Sequence, residues 1–260
     1  MCLIICAYQY QSKFPLVVAA NRDEFFSRPT QSAGLWQGNE PSKAVLAGKD
    51  LTQGGTWLGI NPGGHFAAVT NIRNPDKSSS GEKSRGFLVS DFLQSEIPAQ
   101  DYLQGLISSL DLFAGFNLLL GDDEGLYYLN NMDREVRKLP PGIYGLSNGT
   151  LDSPWPKVNR GKSQVQDLLD SGKDVDTHTL IKIMTNKDIA PDVQLPDTGI
   201  PLELERLLSA SFINNPQRDY GTRCSTAIVM NDQRNIRFSE QNYGRDTSVT
   251  SRRYFDFSLN

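Results

Sequence analysis

The pattern of apolar and polar positions begins with two short, strand-like runs. Residues 2–8 (CLIICAY) and 15–20 (PLVVAA) are apolar and partly β-branched, and a polar segment separates them. This pattern is typical of a hairpin in a buried sheet. A second hairpin is predicted where the glycine-rich GGTWLGIN and the turn-forming NPGG lead into HFAAVTN at 65–71. The chain therefore opens with β structure.

Helical and strand-like patterns alternate over the rest of the chain. Helical patterns cover about 84–96, 99–110, 156–171, 177–185 and 201–209. After the first two helices, four strands are predicted as a meander in FNLLLGD, GLYYLN, EVRKL and GIYGLSN. The final strands are predicted at about 223–231, 234–240 and 252–258.

This order of elements predicts an α+β fold class. Strands, helices, strands, helices and strands again indicate two mainly antiparallel sheets packed on each other with helices outside, which is a four-layer αββα sandwich. A three-layer α+β domain is the alternative. Since no repeat or low-complexity linker interrupts the pattern, a single domain over 1–260 is expected.

Composition excludes several classes of protein. The net charge of −4 argues against a partner that is nucleic acid or an anionic membrane surface. No apolar run approaches the roughly 20 residues that span a bilayer, and the N-terminus lacks a signal-peptide pattern, so we expect a cytoplasmic protein. The three cysteines show no paired spacing, and therefore neither a disulfide framework nor a metal site is indicated.

Cys2 carries the most chemical information in the sequence. A small second residue lets methionine aminopeptidase remove Met1, which leaves a cysteine with a free α-amino group. That amine, with an ordinary pKa of about 7.7 to 8.0, can serve as the base for its own thiol, so no histidine is required. The alternative is that Cys2 is a small buried hydrophobe in an edge strand, as we expect for Cys6 and Cys224.

Charged residues follow the second predicted strand directly. In Asn21-Arg22-Asp23-Glu24, an arginine can lower the pKa of a nearby thiol, and a carboxylate can orient the α-amino group. The segment is predicted to lie at a strand end, where functional residues often collect. A charged turn without a chemical role is the alternative.

Other polar residues flank predicted strands or turns. Asn71 and Asn148 each end an apolar run, where an amide can donate to a developing oxyanion, although each alone is also a common turn residue. Arg223 precedes a strongly apolar strand and is either a buried cation or a strand-flanking charge. Trp57 and its neighbouring glycines are interpreted as a tight turn that borders a pocket, because the stretch lacks the Lys-Ser/Thr of a phosphate-binding loop.

Six blocks, in order along nearly the whole chain, resemble those of one family. They are Met1-Cys2, ANRDE at 20–24, GGTWLGIN at 54–61, AAVTNIRNP at 67–75, YGLSNGTLDSPWPKV at 144–158 and YGTRCST at 220–226. The family is the NRDE family, also called transport and Golgi organisation 2. It resembles in turn the N-terminal-nucleophile hydrolases of the choloylglycine hydrolase and penicillin V acylase type.

That second resemblance implies roles for individual residues. Cys2 matches the nucleophile, and Asn71 matches an asparagine near the oxyanion. Asn148 matches a later asparagine, and Arg223 matches a late arginine.

The NRDE segment departs from the hydrolase pattern. The hydrolases separate their Arg and Asp by two residues, whereas Arg22 and Asp23 are adjacent, and adjacent strand residues point to opposite faces. Two explanations remain open. Either the strand ends by Asn21, or only one of the pair faces the nucleophile and Asn21 or Glu24 supplies the other role.

The function expected from these residues is a cysteine amidohydrolase for non-peptide C–N bonds, without a cofactor. Its proposed catalytic residues are Cys2, Arg22, Asp23, Asn71, Asn148 and Arg223, where the charged residues orient the amine and lower the thiol pKa. Its proposed substrate-binding residues are Asn21, Glu24, Trp57 and Asn61.

The alternative expectation is a non-catalytic carrier of haem or of an acyl-CoA or other lipid in the same cleft. This function is implied by the resemblance, since members of the NRDE family have been linked to such ligands. Haem would require an axial ligand, for which His65, His178 or a cysteine would have to serve.

Overall fold

The computed structural model describes residues 2–36, 43–73 and 81–259. Met1 and residues 74 and 75, which belong to the quoted blocks, lie outside these ranges. The strands are β1 (Cys2–Gln11), β2 (Phe14–Phe25), β3 (Thr30–Trp36), β4 (Val45–Asp50), β5 (Leu58–Ile60), β6 (Phe66–Asn71), β7 (Phe116–Asp122), β8 (Gly125–Asn130), β9 (Arg137–Leu139), β10 (Gly142–Leu146), β11 (Asn214–Asn215), β12 (Tyr220–Met230), β13 (Asn235–Tyr243) and β14 (Val249–Ser258).

The helices occupy two stretches between the strands. They are α1 (Gly86–Leu93), α2 (Ala99–Leu106), α3 (Pro156–Asp170), α4 (Thr177–Met184) and α5 (Leu202–Leu208), with short 3₁₀ segments at Ile107–Leu112, Asp192–Gln194 and Pro216–Arg218. Among the described residues, none of these helices is both long and apolar enough to span a bilayer.

The chain divides into two units. The first holds Met1–Ser27 with Pro141–Phe257, and the second holds Arg28–Pro140 with Ser258–Asn260. That the chain forms a single domain stays a prediction.

The first unit contains one antiparallel sheet in the order β10-β1-β2-β12-β13-β14, and β11 pairs with β12. Residues on one face of this sheet pack against α3 and α4, and we call this face the helix face. Its core includes Leu3, Ile5, Val17, Ala19 and Ala227 from the strands. Because side chains alternate along a strand, every second residue of β1 and β2 lies on this face.

Helix α3 begins where the sequence predicts it. Pro156 fits the first helical position because its missing N–H has no intrahelical acceptor there, and Trp155 before it is extended. The helix buries Val158, Val165 and Leu169 against the sheet. Gly161 permits close packing, since a Cβ at this position would come within 2.8 Å of Ile5.

The second unit contains an antiparallel sheet in the order β3-β4-β5-β6-β7-β8-β9. Helices α1 and α2 contribute Leu88, Phe92 and Leu103 to a core shared with this sheet. The backbones at Gly55 and Gly86 are in close contact, because a Cβ at Gly55 would lie 2.4 Å from the Gly86 carbonyl carbon. This contact fixes the start of α1 against the turn before β5.

The predicted fold class is confirmed, because the chain is α+β with two antiparallel sheets. Three details of the prediction were wrong. The fourth strand of the expected meander, β10, pairs with β1 in the first sheet instead of following β9 in the second. Strands β3 and β4 were not predicted. Strand β2 continues to Phe25 and contains the NRDE segment, which was expected to follow it.

Candidate functional site

The NRDE segment lies inside a strand that is paired on both sides. Arg22 pairs with Cys2 of β1 on one side and with Cys224 of β12 on the other. Directly paired residues of antiparallel strands point to the same face. Cys2, Arg22 and Cys224 therefore share the face opposite the helix face, and we call it the thiol face.

Asn21 lies on the helix face and is fully engaged in structural hydrogen bonds. Its amide nitrogen donates to the carbonyl oxygens of Met184 at 2.8 Å and Ser211 at 2.7 Å. Its side-chain oxygen accepts from the Ser225 hydroxyl at 2.6 Å. Since Asn21 is only 1% exposed, these bonds anchor the end of α4 to the sheet. Its predicted role in substrate binding stays a prediction, and its amide is committed elsewhere.

Asp23 also lies on the helix face, where it is buried. One carboxylate oxygen accepts from the Thr222 hydroxyl at 2.7 Å, and the Asp23 carbonyl accepts from the Tyr220 hydroxyl at 3.0 Å. Burial raises the pKa of the Asp23 carboxyl, while the charges of Lys157 and of the amino terminus and the Thr222 bond lower it. Asp23 is thus a buried acid whose ionisation depends on neighbouring cations.

Burial and the neighbouring cations act in opposite directions on the thiol pKa of Cys2. Burial raises the pKa of the Cys2 thiol, and the charge of Asp23 raises it further. The amino terminus, Arg22 and a hydrogen bond from the Asp23 backbone N–H act in the opposite direction without overcoming burial. Arg22 thus lowers the thiol pKa in the expected direction, but burial outweighs it and the pKa is raised overall, so the resting residue is a thiol that needs a base.

The other neighbour of Cys2 is the segment after β10. Ile4 pairs with Leu146, so continuing the antiparallel register by two residues brings Asn148 opposite Cys2. The adjacent Ser147 hydroxyl donates to the Cys2 carbonyl at 3.2 Å, which ties this segment to the first residue of β1. Asn148 is buried. Cys2 is thereby flanked by Arg22 on one side and Asn148 on the other.

Glu24 and Arg223 lie at the end of β2. The Glu24 carboxylate is 3.9 Å from the guanidinium of Arg22, on the thiol face. Arg223 is the extra residue of a β-bulge, because Thr222 pairs with Asp23 and Cys224 pairs with Arg22. Its guanidinium donates to the carbonyls of Phe25 and Phe26 and stacks on the Phe26 ring. Arg223 therefore fastens the chain that leaves β2.

Three of the predicted site residues belong to the second unit. Asn71 is the last residue of β6 and pairs with Phe116. The Trp57 carbonyl accepts from the Val69 N–H at 2.9 Å, and the ring packs on the core of that unit. The Asn61 amide donates to the Leu93 carbonyl at 2.7 Å, so it fixes the β5–β6 turn to the end of α1. Their roles in a site stay predictions.

Sequence reasoning missed Lys157, Thr222 and Ser147. Lys157 is only 1% exposed and lies in the first turn of α3. The available signal was positional: a lysine beside Pro156 at the start of a helix opposes the helix dipole, so it calls for an anionic partner. Thr222 and Ser147 carry no such signal, since their importance depends on strand pairing.

The arrangement provides the parts of a nucleophilic site in the first unit. It contains a thiol at the first position of a strand, an arginine beside it, an amide opposite it and the buried carboxylate of Asp23 on the neighbouring strand. In residues 2–36, 43–73 and 81–259, no three His, Cys, Asp or Glu side chains come together as a metal site would require. Acyl transfer is the chemistry that these parts suit.

The sequence matches a known protein family over most of its length. A family model described as Transport and Golgi organisation 2 matches residues 1–245. The Transport and Golgi organization protein 2 homolog of Bos taurus is 34% identical over 261 residues, which cover 93% of this chain and 92% of the relative.

Two solved structures resemble the chain at low sequence identity. A Caenorhabditis elegans N-acylethanolamine-hydrolyzing acid amidase ortholog has a TM-score of 0.52 at 12% identity, covering 88% of this chain and 92% of that one. A variant of the conjugated bile acid hydrolase from Clostridium perfringens has a TM-score of 0.50 at 11% identity, with 98% and 92% covered. At these identities the likeness shows the fold alone.

Proposed function

The chain belongs to the Transport and Golgi organisation 2 family, and we propose that it is an N-terminal cysteine amidohydrolase that cleaves the C–N bond of an N-acyl compound. The observation that carries the proposal is the position of Cys2. Its thiol lies beside Arg22, and its backbone lies opposite Asn148 and next to the buried Asp23. The hydrolytic activities in the names of the two similar structures support the same class of reaction.

The first half of the proposed reaction forms a thioester. After removal of Met1, the α-amino group of Cys2 takes the thiol proton, and the sulfur attacks the carbonyl carbon of the substrate. Asn148 donates to the oxyanion and stabilises it. The tetrahedral intermediate collapses, the C–N bond breaks, and the α-ammonium gives its proton to the leaving amine.

The second half restores the enzyme. The neutral α-amino group takes a proton from water, and the hydroxide attacks the thioester carbonyl. The C–S bond then breaks, the carboxylic acid leaves, and the thiolate recovers the proton from the α-ammonium. Because burial keeps the thiol protonated, this cycle requires the amine and gains nothing from a resting thiolate.

Intact-mass spectrometry of the protein purified from its own host tests the proposal. The spectrum is recorded before and after incubation with a thiol-directed acylating probe, and chromogenic N-acyl amides are assayed in parallel. We expect loss of Met1, a single adduct and amide hydrolysis. The Cys2→Ala substitution should abolish both the adduct and the hydrolysis. The matched control is Cys224→Ala, which removes another thiol of the same face and should retain the adduct. Retained Met1 without an adduct contradicts the proposal.

A second candidate function, a carrier of an acyl lipid, is favoured by an apolar pocket in the first unit. Its volume is about 450 Å³. The lining residues are Phe25, Leu204, Leu207, Leu208, Asn215, Arg218 and Tyr220. Leucine and aromatic walls with one arginine suit an aliphatic chain that carries an anionic group.

The same pocket gives less support to haem. His65 is stacked on Phe92 with ring centroids 4.5 Å apart, and His178 is exposed on α4. Neither histidine lines the pocket. Binding of a fluorescent fatty acid and amide hydrolysis, measured on two variants, distinguish the two functions. A carrier should bind the fatty acid with unchanged affinity when Cys2 is replaced (Cys2→Ala) and should lose binding in the Leu207→Asp variant. A hydrolase that does not use this pocket should retain its activity in the Leu207→Asp variant.

The proposed chemistry supports a reducing compartment such as the cytoplasm. Cys2, Cys6 and Cys224 are free thiols. The nucleophile must stay reduced to attack a carbonyl, because only the thiol or thiolate is nucleophilic. Fractionation of the host cell, followed by detection of the protein in the cytosolic fraction, tests this assignment.

A further inference from the structure

Helix α3 runs along β1 in the same direction. Gly161, near the start of the helix, lies over Ile5, with which a Cβ would collide at 2.8 Å. Further along, the Leu169 carbonyl accepts from the Gln11 side chain at 2.6 Å. These two contacts fix the helix and the strand side by side, so the beginning of α3 lies at the beginning of β1.

This alignment sets the position of Lys157. Lys157 precedes Gly161 by four residues, which is about 6 Å of helix. Leu3 precedes Ile5 by two residues, which is a similar distance of about 6.6 Å along the strand. Leu3 pairs with Asn21, and Asp23 is the next residue of β2 on the same face. Lys157 therefore approaches the helix face at the level where Cys2 begins the strand and Asp23 is buried.

The placement of Lys157 is unfavourable unless an anion compensates for it. Its side chain is 1% exposed, so its ammonium has lost its contact with water. It also lies in the first turn of a helix of 15 residues, where the macrodipole disfavours a cation and no acidic residue is present. Local rules broken together in this way are typical of functional positions.

We propose that Lys157 is a positioning residue whose buried ammonium keeps Asp23 ionised at the start of β1, so that the carboxylate can orient the α-amino group of processed Cys2. The inference rests on the proposed function for the role of the amine, but the pairing of Lys157 with Asp23 does not. The charge of Lys157 lowers the pKa of Asp23, second only to the opposing effect of burial.

Other groups also face Asp23 and share in its titration. They are the amino terminus, Thr222, Glu24, Tyr220 and Cys2. Glu24 acts against ionisation of Asp23, and the amino terminus acts for it. Lys157 is the cation that comes from helix α3. Replacing it therefore removes one positive charge near Asp23 without changing a residue of the strands.

The first arm of the test measures the rate at which Cys2 reacts with a thiol-directed acylating probe across a range of pH. Only protein shown by intact mass to lack Met1 is used. In Lys157→Met the Asp23 carboxyl keeps a proton to higher pH, so the acidic limb of the rate profile should move upward. The rate at neutral pH should then fall about a hundredfold, and Lys157→Arg should restore most of it.

Lys162→Met is the matched control, because Lys162 lies on the same helix but its ammonium pairs with the Asp152 carboxylate at 2.7 Å instead of acting on Asp23. It should leave the profile unchanged. A profile in Lys157→Met that coincides with the wild-type profile overturns the inference, since a merely structural lysine would alter stability and leave the limb where it is.

The second arm needs no reaction and separates failure of the inference from failure of the proposed function. Urea unfolding midpoints are compared for Lys157→Met, Asp23→Asn and the double variant. Each single change leaves one buried charge without its partner, so the double variant should unfold at higher urea than either. Additive losses overturn the pairing. Coupling in a protein that forms no adduct supports the pairing and contradicts the amidohydrolase.

Discussion

Asn21 is predicted to be a structural residue of the NRDE segment, and Asn21→Ala tests this directly. The substitution removes two donated bonds, to Met184 and Ser211, and one accepted from Ser225. A typical bond contributes about 1 kcal/mol net, and a buried polar group left without a partner costs about 1 to 3 kcal/mol. Three groups that each lose a partner at this cost predict a loss of about 3 to 9 kcal/mol in the free energy of unfolding.

Urea denaturation at neutral pH, followed by far-ultraviolet circular dichroism, measures this loss. The matched control is Asn159→Ala on the exposed side of α3, where the amide donates a single bond of 3.4 Å to the Pro154 carbonyl. A surface change of that kind should stay within about 0.5 kcal/mol. A typical domain has only about 5 to 15 kcal/mol of stability, so the Asn21 variant should also yield less soluble protein.

The result that would refute this reasoning is a stable Asn21→Ala protein. If the variant unfolds within about 1 kcal/mol of wild type while its Cys2 no longer reacts with an acylating probe, Asn21 acts in the site and its bonds are incidental. We expect the opposite: a destabilised protein whose remaining folded fraction still reacts at Cys2.

Three further predictions follow from burial, packing and helix capping. Asp176→Ala should lower the free energy of unfolding by about 1 kcal/mol, because the Asp176 carboxylate caps α4 by accepting from the Thr179 N–H at 2.8 Å. Burial raises the pKa of Asp176, but the bonds from Thr179 outweigh burial and hold the pKa below the ordinary value of 3.8. The stabilisation is therefore present above pH 3.8, and the difference in Tm between variant and wild type should shrink as the pH falls below that value. Iodoacetamide at neutral pH should alkylate Cys2 and spare Cys6, because Cys2 is partly exposed whereas Cys6 is buried and its thiol pKa is raised to about 12, and peptide mass mapping should find Cys6 modified only after unfolding. Gly55→Ala should destabilise the protein by about 1 to 3 kcal/mol, measured by thermal unfolding, because its methyl group meets backbone at the start of α1.

The strands that can be predicted from the sequence are those whose apolar pattern is continuous. Strands β1 and β6 are recognised from runs of buried residues. Strand β3 has a half-exposed pattern with the polar sequence TQSAGLW, so nothing in its composition separates it from a loop. The path of β10 cannot be seen either, because its pairing with β1 joins residues about 140 positions apart, and hydrophobic periodicity carries no information about partners.

The candidate site shows the same limit at the level of single residues. Three of the residues proposed from the sequence, Cys2, Arg22 and Asp23, are neighbours in the first unit. The sequence cannot show that β2 continues through a charged segment, because four polar residues in a row are typical of a turn. The strand persists since both neighbouring strands pair with it and since Asn21 and Asp23 find buried partners on the helix face.

The adjacency of Arg22 and Asp23, which seemed to contradict the hydrolase pattern, becomes consistent with an N-terminal nucleophile once the strand is continuous. Adjacent residues place the guanidinium on the thiol face and the carboxylate on the helix face. A nucleophile and a base that are both side chains would have to share one face. A first residue differs, because its thiol lies on one face while its α-amino group belongs to the backbone, between the two faces. Arg22 can then interact with the sulfur on the thiol face. Asp23, kept ionised by Lys157, interacts with the amine from the helix face of the same sheet.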